Sequence, residues 1–234
     1  MNISAYDSKI FPLTKYKNYT YKQVYDTNDD KYFKYLISNF KFHFEEIYDF
    51  YLYLKLRNKF SNDITKLLNI KILLDTETTG FSNNDYVIQL SYVLFNELEI
   101  LKSFNQIVKI NPKLKINNAY IHGITNMICE KDGICINNVI DRLCYDLKYS
   151  SCIIGHNINF DIRMLKNEFH RNKVDMTVLV SKKLEDTMTI YGSRIKLSDL
   201  YLKLFNENLN NAHNAYYDVL ATYRIYKKLT NITT

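Results

Sequence analysis

Residues 72–80, ILLDTETTG, constrain the fold more than any other stretch of this chain. Residues 69–75 have the composition of a buried strand, and the segment then presents Asp75 and Glu77. Side chains two residues apart share one face of a strand, so both carboxylates point the same way. Like charges this close repel unless one carries a proton or a cation lies between them. Taken alone, the pair also fits a solvated acidic turn, or Asp75 as a helix N-cap.

Length and composition indicate a globular protein with a sizeable core. The chain has 234 residues, of which 47% are hydrophobic and 24% charged, with only 5 glycines and 2 prolines. No apolar run approaches the ~20 residues of a membrane span, and the N-terminus lacks the apolar core of a signal peptide. We therefore expect an intracellular protein, cytoplasmic or nuclear, with no membrane partner. Lys, Asn, Ile and Tyr are abundant, which is typical of proteins from low-GC genomes. A viral protein that acts inside a host cell fits this composition.

Net charge and cysteine content indicate which partners, disulfides and metal sites to expect. The net charge of +6 suits a polyanionic partner without requiring one. The four cysteines contain no C-x-x-C pair and lack zinc-site spacing. We therefore expect reduced, mostly packed thiols rather than disulfides or a zinc centre.

The first 68 residues differ from the rest and predict a mainly helical N-terminal extension. Residues 29–60 are dense in Tyr, Phe and Lys and contain no helix breaker, which favours one or two helices. Aromatic side chains interleaved with Lys are suited to stacking on nucleobases, but at helical spacing they more often form a core. We favour the core interpretation and assign 1–68 and 69–234 as two domains.

From residue 69 onward the pattern is α/β. Three strands come first, two of them joined as an antiparallel hairpin, and helices then alternate with a further strand. This order predicts a mixed sheet flanked by helices. The predicted strands are 69–75, 86–96, 100–110 and 152–157, and the predicted helices are 137–149, 160–169, 197–205 and 214–229.

Two further acids and a histidine lie at the ends of predicted elements. Asp161 closes GHNINFD (155–161), and Asp218 closes HNAYYD (213–218) on the buried side of the last helix. A carboxylate directed inward needs a partner, for which a metal ion is well suited. Asp161 alone is also a good first-turn residue, and His213 alone a common cap. Together, four carboxylates predict a divalent-cation site that prefers Mg²⁺ or Mn²⁺ to zinc.

The three motifs D-x-E-T-T-G, G-H-N-x-x-F-D and H-x-A-x-x-D, in this order, resemble the DEDDh branch of the 3′–5′ exonucleases. That group includes proofreading subunits of bacterial replicative polymerases, ribonuclease T, oligoribonuclease and TREX-type nucleases. IHGIT (121–125), EDTM (185–188) and KLSDL (196–200) are similar to its secondary segments. The resemblance covers about residues 70–230 and leaves the N-terminal extension unexplained.

This resemblance implies a fold, a reaction and a set of site residues. The fold is ribonuclease H-like, with a mixed five-stranded sheet flanked by helices. The reaction is two-metal hydrolysis of terminal phosphodiesters of DNA, RNA or both, which releases 5′-nucleotides. Asp75, Glu77, Asp161 and Asp218 hold two Mg²⁺ (or Mn²⁺) ions, and His213 acts as general base.

The resemblance also implies contacts with a single-stranded or 3′-end nucleic acid. The backbone at Thr78, Thr79 and Gly80 approaches the terminal nucleotide, although Gly80 is equally explained as a turn glycine. His122 packs against the terminal base or sugar, or is a structural loop histidine. Asn157 orders the turn of the second motif and completes the predicted substrate-binding set.

Other functions remain open from the sequence alone. A catalytically weak nucleic-acid- or protein-binding module could retain this fold, and an endonuclease would use the same acids. No polymerase domain fits in the chain, so proofreading requires a separate partner. We expect a polymerase or another protein to dock on residues 1–68. The sequence does not indicate an oligomeric state.

Overall fold

The computed structural model describes residues 3–231, and the chain divides into two compact units. The first unit is Met1–Asn69 together with Asn96–Leu98, and the second is Ile70–Phe95 together with Glu99–Thr234. The sequence-based boundary after residue 68 lies one residue from the observed one. Residues 96–98 fall within the predicted second domain, but in the structure they group with the first unit.

The described part of the first unit is helical. Residues 29–60, predicted as one or two helices, form two that are separated at Asn39. The second of them has a non-helical residue at Ile47, which marks a kink. The elements are α1 (Ser4–Asp7), a 3₁₀ turn (Thr14–Tyr16), α2 (Tyr21–Asp26), α3 (Asp30–Ser38), α4 (Phe40–Leu56) and α5 (Ser61–Leu68).

Aromatic rings form much of the core of this unit. Phe50 is fully buried, and its ring lies 4.9 Å from Phe11 and 5.1 Å from Tyr21, in edge-to-face contacts that aromatic pairs prefer. The core interpretation of residues 29–60 therefore holds for most of their rings. Tyr35 and Phe42 are different, since 53% and 74% of their surfaces remain exposed.

The second unit is built on the predicted five-stranded mixed sheet. Its strand order is β3-β2-β1-β4-β5, with β1–β2 and β2–β3 antiparallel and β1–β4 and β4–β5 parallel. The fifth strand was not located from its residues, because four residues are too few to show a period. The strands are β1 (Lys71–Thr78), β2 (Val87–Phe95), β3 (Ile100–Ile107), β4 (Cys152–Gly155) and β5 (Lys183–Asp186).

Strand β1 is longer than predicted. It was expected to end at Asp75, but it continues to Thr78, because the residues after Asp75 stay paired with β2. Glu77 lies opposite Gln89, and the register shifts only between Glu77 and Thr78. Both acids are therefore strand residues, which fixes their side chains on one face.

Helices cover both faces of the sheet. On the face that carries Leu73, the sheet packs against Val219 and Tyr226. On the opposite face, the Tyr92 hydroxyl donates to the buried carboxylate of Asp146 at 2.6 Å. The helices of this unit are α6 (Ala119–His122), α7 (Asn126–Asp132), α8 (Ile136–Leu147), α9 (Ile158–Arg171), α10 (Thr177–Val180), α11 (Thr187–Tyr191), α12 (Leu197–Phe205) and α13 (Ala215–Leu229).

Within residues 3–231, every helix is too short or too polar to cross a membrane.

Candidate active site

Three of the predicted acids meet where β1 passes under α13. Asp75 and Glu77 occupy alternate positions of β1, on the same face as Leu73, which contacts Val219 of α13. Asp218 projects from the first turn of α13 toward them. One carboxylate oxygen from each of the three acids lies within 4.8 Å of the others. The folded chain therefore brings together residues that are 141–143 positions apart in the sequence.

The fourth acid, Asp161, adjoins this group from α9 but is not one of the three. Its side chain is only 3% exposed. Its Oδ1 accepts hydrogen bonds from the Thr76 backbone N–H at 2.9 Å and the Thr76 hydroxyl at 2.7 Å. Thr76 alternates with the two acids of β1, so the strand that carries Asp75 and Glu77 also fixes Asp161.

The electrostatics of the four carboxylates are those of an uncompensated acidic cluster. Burial, followed by repulsion from Asp161, Asp218 and Glu77, raises the pKa of Asp75 well above its usual range. Burial and the charges of Asp218 and Asp161 raise the pKa of Glu77 to about 8. Burial also raises the pKa of Asp161 to about 7, against the opposing hydrogen bonds from Thr76. Without a cation, this group of acids would retain protons at neutral pH.

Asp218 gives the most direct evidence that the acidic cluster lacks a positively charged partner. Its Oδ2 accepts a hydrogen bond from the His213 backbone N–H at 3.0 Å. Its Oδ1 is buried and has no hydrogen-bond partner among residues 3–231. Burial raises the pKa of this carboxyl to about 6, although the bond from His213 opposes the shift. A buried oxygen aimed at a group of acids and lacking a donor fits a hard divalent cation.

His213 lies at the rim of the cluster, in the loop before α13. Its backbone has φ 67°, a left-handed conformation, and its side chain is exposed. Its backbone N–H donates to Oδ2 of Asp218 at 3.0 Å, which holds the residue beside the acids. The structure therefore brings His213 beside Asp218 while leaving its ring accessible to solvent.

Residues 72–226 match the Exonuclease family named RNase_T. The chain belongs to this exonuclease family. The match covers the three motifs and all three secondary segments, so the predicted DEDDh-type family is confirmed.

Curated relatives support the same family. A PolC-type DNA polymerase III of Latilactobacillus sakei is 27% identical over 166 residues, which are 67% of this chain but 11% of that protein. A 3′-5′ exonuclease DinG of Bacillus subtilis is 26% identical over 102 residues, which are 43% of this chain and 11% of that protein. The chain thus spans only a small part of these larger proteins.

Solved structures share the fold. An E. coli exonuclease I complex with single-stranded DNA matches with a TM-score of 0.59 at 20% identity, covering 70% of this chain and 40% of that one. A 3′-exonuclease described by its 3′-end-specific recognition of a histone mRNA stem-loop also has a TM-score of 0.59, at 17% identity, covering 70% of this chain and 82% of that one. The mixed sheet and its helices therefore have the ribonuclease H-like fold of these exonucleases.

In this exonuclease domain, the two threonines of the first motif are tied to the protein itself. Thr78 is 2% exposed and donates its hydroxyl to the Gly80 carbonyl at 2.6 Å. Thr79, also 2% exposed, donates its hydroxyl to Asp85 at 2.9 Å and its backbone N–H to the Tyr86 carbonyl at 2.9 Å. These bonds shape the turn after β1, and substrate contact by either threonine stays a prediction.

The structure gives a steric reason for a glycine at position 80, which the sequence did not reveal. A Cβ atom placed there would lie 2.6 Å and 2.7 Å from the two carboxylate oxygens of Asp85. The close approach that requires a glycine is thus made by a neighbouring side chain of the same turn. Contact between Gly80 and a nucleotide stays a prediction.

His122 is held against the end of β1. Its Nδ1 accepts the Ile124 N–H at 3.0 Å, so Nε2 carries the proton and donates to the Thr78 carbonyl at 3.2 Å. Burial lowers the pKa of this histidine, which keeps the ring neutral. The structure assigns it a loop-ordering role, and packing against a base or sugar stays a prediction.

Asn157 adopts a left-handed conformation with φ 65° immediately before α9, and its side chain is exposed. Asparagine tolerates this conformation better than most residues. The cap of α9 comes from Asp186 at the end of β5, whose carboxylate accepts the N–H groups of Asn157 and Ile158, each at 3.1 Å. Asn157 thus occupies the left-handed position of this turn, and its ordering of the turn and its contact with substrate stay predictions.

Two positioning residues, Thr76 and Asp186, were missed by sequence reasoning. Thr76 lies between the two acids in D-T-E-T, and its alternation to the other face of β1 was available from the spacing. Asp186 lies in EDTM (185–188), a segment that the family resemblance had singled out without giving it a role. Both act on α9, which carries Asp161.

Proposed function

We propose that this protein is a metal-dependent 3′–5′ exonuclease that hydrolyses the terminal phosphodiester of a nucleic acid strand and releases 5′-nucleotides. The observation that carries the proposal is the cluster of Asp75, Glu77 and Asp218, in which Oδ1 of Asp218 is buried and has no hydrogen-bond partner among residues 3–231. Membership of the exonuclease family supports this reaction over other uses of an acidic cluster.

Asp75, Glu77, Asp161 and Asp218 would hold two Mg²⁺ or Mn²⁺ ions. Bound ions of this kind stabilise the charge that develops on a phosphodiester during hydrolysis. The chain's own contribution is a rigid set of carboxylates. β1 fixes two of them, the Thr76 bonds fix Asp161, and the His213 backbone N–H fixes Asp218.

His213 is the proposed general base. Its exposed imidazole accepts a proton from the water that attacks the phosphorus, and the bond from phosphorus to the 3′ oxygen of the preceding nucleotide then breaks. The departing 3′ oxygen takes a proton from solvent, and the phosphate stays on the released 5′-nucleotide. The backbone bond from His213 to Asp218 keeps the base beside the acids whatever the orientation of the ring.

Single-stranded or 3′-end DNA or RNA is the proposed substrate. The fold neighbours include one protein in complex with single-stranded DNA and one described as recognising an mRNA stem-loop. The first supports a single-stranded substrate and the second a 3′ end, and together they favour neither DNA nor RNA. A polymerase or other protein partner for residues 1–68 stays a prediction.

The deciding experiment uses single-stranded DNA and RNA of one sequence, each labelled at the 5′ end. The wild type and Asp75→Ala are incubated with each substrate in Mg²⁺, and the products are resolved over time. We expect stepwise shortening from the 3′ end that disappears in the variant and in EDTA. Activity that persists in chelator would contradict the metal-dependent mechanism.

Two controls separate this function from its alternatives. A circular single strand offers no 3′ end, so its cleavage would identify an endonuclease. Binding of either substrate without shortening, in both Mg²⁺ and Mn²⁺, would identify a binding module.

A further inference from the structure

A run of aromatic rings crosses the surface of the first unit. We call Tyr19, Tyr16, Tyr32, Tyr35 and His43 the ring ladder. Successive ring centroids are 5.7, 5.3, 6.1 and 6.4 Å apart in that order. Tyr32 and Tyr35 are nearly parallel, with 14° between their planes.

The ladder is a surface feature, unlike the core rings of the same helices. Tyr19 is 48% exposed and Tyr35 is 53% exposed. Phe42, next to His43 in the sequence, is 74% exposed, whereas Phe40 and Phe44 on either side of this pair are buried. The exposed rings are therefore additional to those that stabilise the fold.

The two acids at the start of α3, Asp29 and Asp30, are already neutralised. The ammonium group of Lys15 lies over the rings of Tyr16 and Tyr32, at 5.3 and 4.7 Å from their centroids, and forms an ion pair with Asp29. Asp30 pairs with Lys59 at 2.7 Å. These pairs leave no excess negative charge at the start of α3.

The lysines beside the ladder, in contrast, are uncompensated. Lys17, Lys31 and Lys34 are exposed, and none of the three forms an ion pair within residues 3–231. Lys31, Lys34 and Tyr35 share the outward face of α3, since residues three and four apart lie side by side on a helix. Glu46, one turn after Phe42 on α4, is exposed and marks the acidic border of the patch.

We propose that the ring ladder, with Phe42, binds single-stranded nucleic acid, with bases stacked on Tyr35 and Phe42 and phosphates beside Lys17, Lys31 and Lys34. Exposed aromatic rings flanked by cations bind unpaired bases with little regard to sequence. A duplex hides its base faces, which excludes it from this mode. Protein interfaces are depleted in lysine, so three free lysines favour a polyanion over a protein partner.

This site lies outside the exonuclease domain and uses none of its acids. It rests on the proposed function only in taking the same class of substrate. Binding at the ladder requires no metal, so it is measurable when hydrolysis is blocked. The two proposals can therefore fail separately.

The test measures the affinity of the full-length protein for fluorescein-labelled dT20 and U20 by anisotropy in EDTA. The double variant Tyr35→Ala/Phe42→Ala should bind at least ~25-fold more weakly than the wild type, because each lost stack costs about 5- to 150-fold in affinity. The matched variant Tyr35→Phe/Phe42→Tyr keeps both rings and should bind like the wild type. Tyr145→Ala removes an exposed tyrosine of the second unit with Arg142 and Lys148 beside it, and should also leave affinity unchanged.

A second variant tests the lysines and leaves every ring in place. Lys31→Ala/Lys34→Ala should reduce the slope of log affinity against log salt by about 1.4, since each phosphate contact to a single strand contributes about 0.7. These lysines are exposed, so this variant reports on the site even if the aromatic double variant fails to fold.

Equal affinity of the wild type and Tyr35→Ala/Phe42→Ala, or an unchanged salt slope in Lys31→Ala/Lys34→Ala, would overturn the proposal, as would the absence of measurable binding by the wild type. If binding by the wild type does not depend on the ladder while 3′-end shortening in Mg²⁺ is normal, the ladder proposal alone is refuted. Normal ladder-dependent binding with no shortening would refute the proposed hydrolysis alone.

Discussion

At the scale of single residues, Asp218 has one carboxylate oxygen bonded to backbone and the other buried without a donor. Asp218→Asn keeps the size of the side chain but removes a charged ligand and places an amide against two acids. We expect turnover to fall by about 10³-fold or more, because metal stabilisation of the transition state is worth several kcal/mol. Initial rates on a 5′-labelled strand measure this loss.

The control is Asp199→Asn, which changes an exposed acid on α12 and should retain full activity. Mg²⁺ should raise the melting temperature of the wild type and of this control, but not that of Asp218→Asn. An Asp218→Asn protein with normal turnover would remove Asp218 from the site.

His213 combines a side-chain role with a backbone one, and two substitutions separate them. His213→Ala should lower turnover by ~10²–10⁴-fold while Mg²⁺ still raises the melting temperature. His213→Asn suits the left-handed conformation at φ 67° better, so it keeps the backbone bond to Asp218 while removing the base. Single-turnover rates for both should be equally low. A wild-type rate in His213→Asn would show that the imidazole is not the base.

Thr76 tests whether the bond to Asp161 matters for the reaction. Thr76→Val removes the hydroxyl that donates at 2.7 Å but leaves the backbone donor at 2.9 Å. We expect about a 10- to 100-fold loss of activity, which is typical when the partner of a metal ligand is removed. Thr189→Val, at an exposed threonine of α11, is the matched control, measured in the same assay with a melting curve. Equal rates in the two variants would mean that the backbone donor is sufficient.

At the scale of elements, the N-terminus of α9 is capped by Asp186, which lies later in the chain, at the end of β5. The Asp186 carboxylate accepts the N–H groups of Asn157, Ile158 and Met188. Asp186→Ala should lower the free energy of unfolding by about 1–2 kcal/mol, as loss of an N-cap does, and should reduce activity because α9 positions Asp161. Urea unfolding measures the first effect. Asp186→Asn keeps an acceptor oxygen and should lose less stability, and an equal loss in both variants would mean that the charge carries the effect.

Elements were predictable from the sequence where they carry a period. The hairpin of β2 and β3 and the helices α8, α12 and α13 have apolar positions at regular spacing, and the structure shows them close to the predicted bounds. The predicted strand ended at Asp75, before the observed end of β1 at Thr78, because charged residues inside a strand give no apolar signal. β5 was missed because Lys183–Asp186 is short and polar.

The candidate site was predictable for a different reason. Side chains alternate between the two faces of a strand, which places Asp75 and Glu77 on one face of β1. Asp218 points inward because it lies on the apolar side of α13. The meeting of β1, α9 and α13 depends on the order of the strands, which no local pattern encodes, and it came only from the family resemblance. The collision that requires Gly80 involves Asp85, and it follows from the shape of the turn rather than from its composition.

At the scale of the whole molecule, the tip of the β2–β3 hairpin belongs to the first unit. Asn96 is 1% exposed and donates to the Leu67 carbonyl at 3.3 Å, and Asn69 donates to the Glu97 carboxylate at 3.1 Å. The chain therefore crosses the boundary three times, after Asn69, after Phe95 and after Leu98.

Deletion of residues 1–68 should accordingly be costly. It removes the Leu67 carbonyl to which the buried Asn96 amide donates, and loss of one such hydrogen bond costs about 0.5–1.5 kcal/mol. We expect the shortened protein to aggregate or melt at a lower temperature, and to bind single strands more weakly where it remains soluble. Light scattering, melting curves and anisotropy test these outcomes. A truncated protein as soluble, stable and active as the full chain would show that the first unit supports neither stability nor binding.

The shared hairpin tip also limits how such a protein arises by gene fusion. Joining a helical segment to the front of an ancestral exonuclease supplies residues 1–69 but not Asn96–Leu98, which lie within the exonuclease sequence itself. The first unit is complete only if that internal turn changes as well. Building the first unit onto a relative would therefore need matched residues at two separate places in one gene, and we expect that transplanting either piece alone yields an incomplete unit.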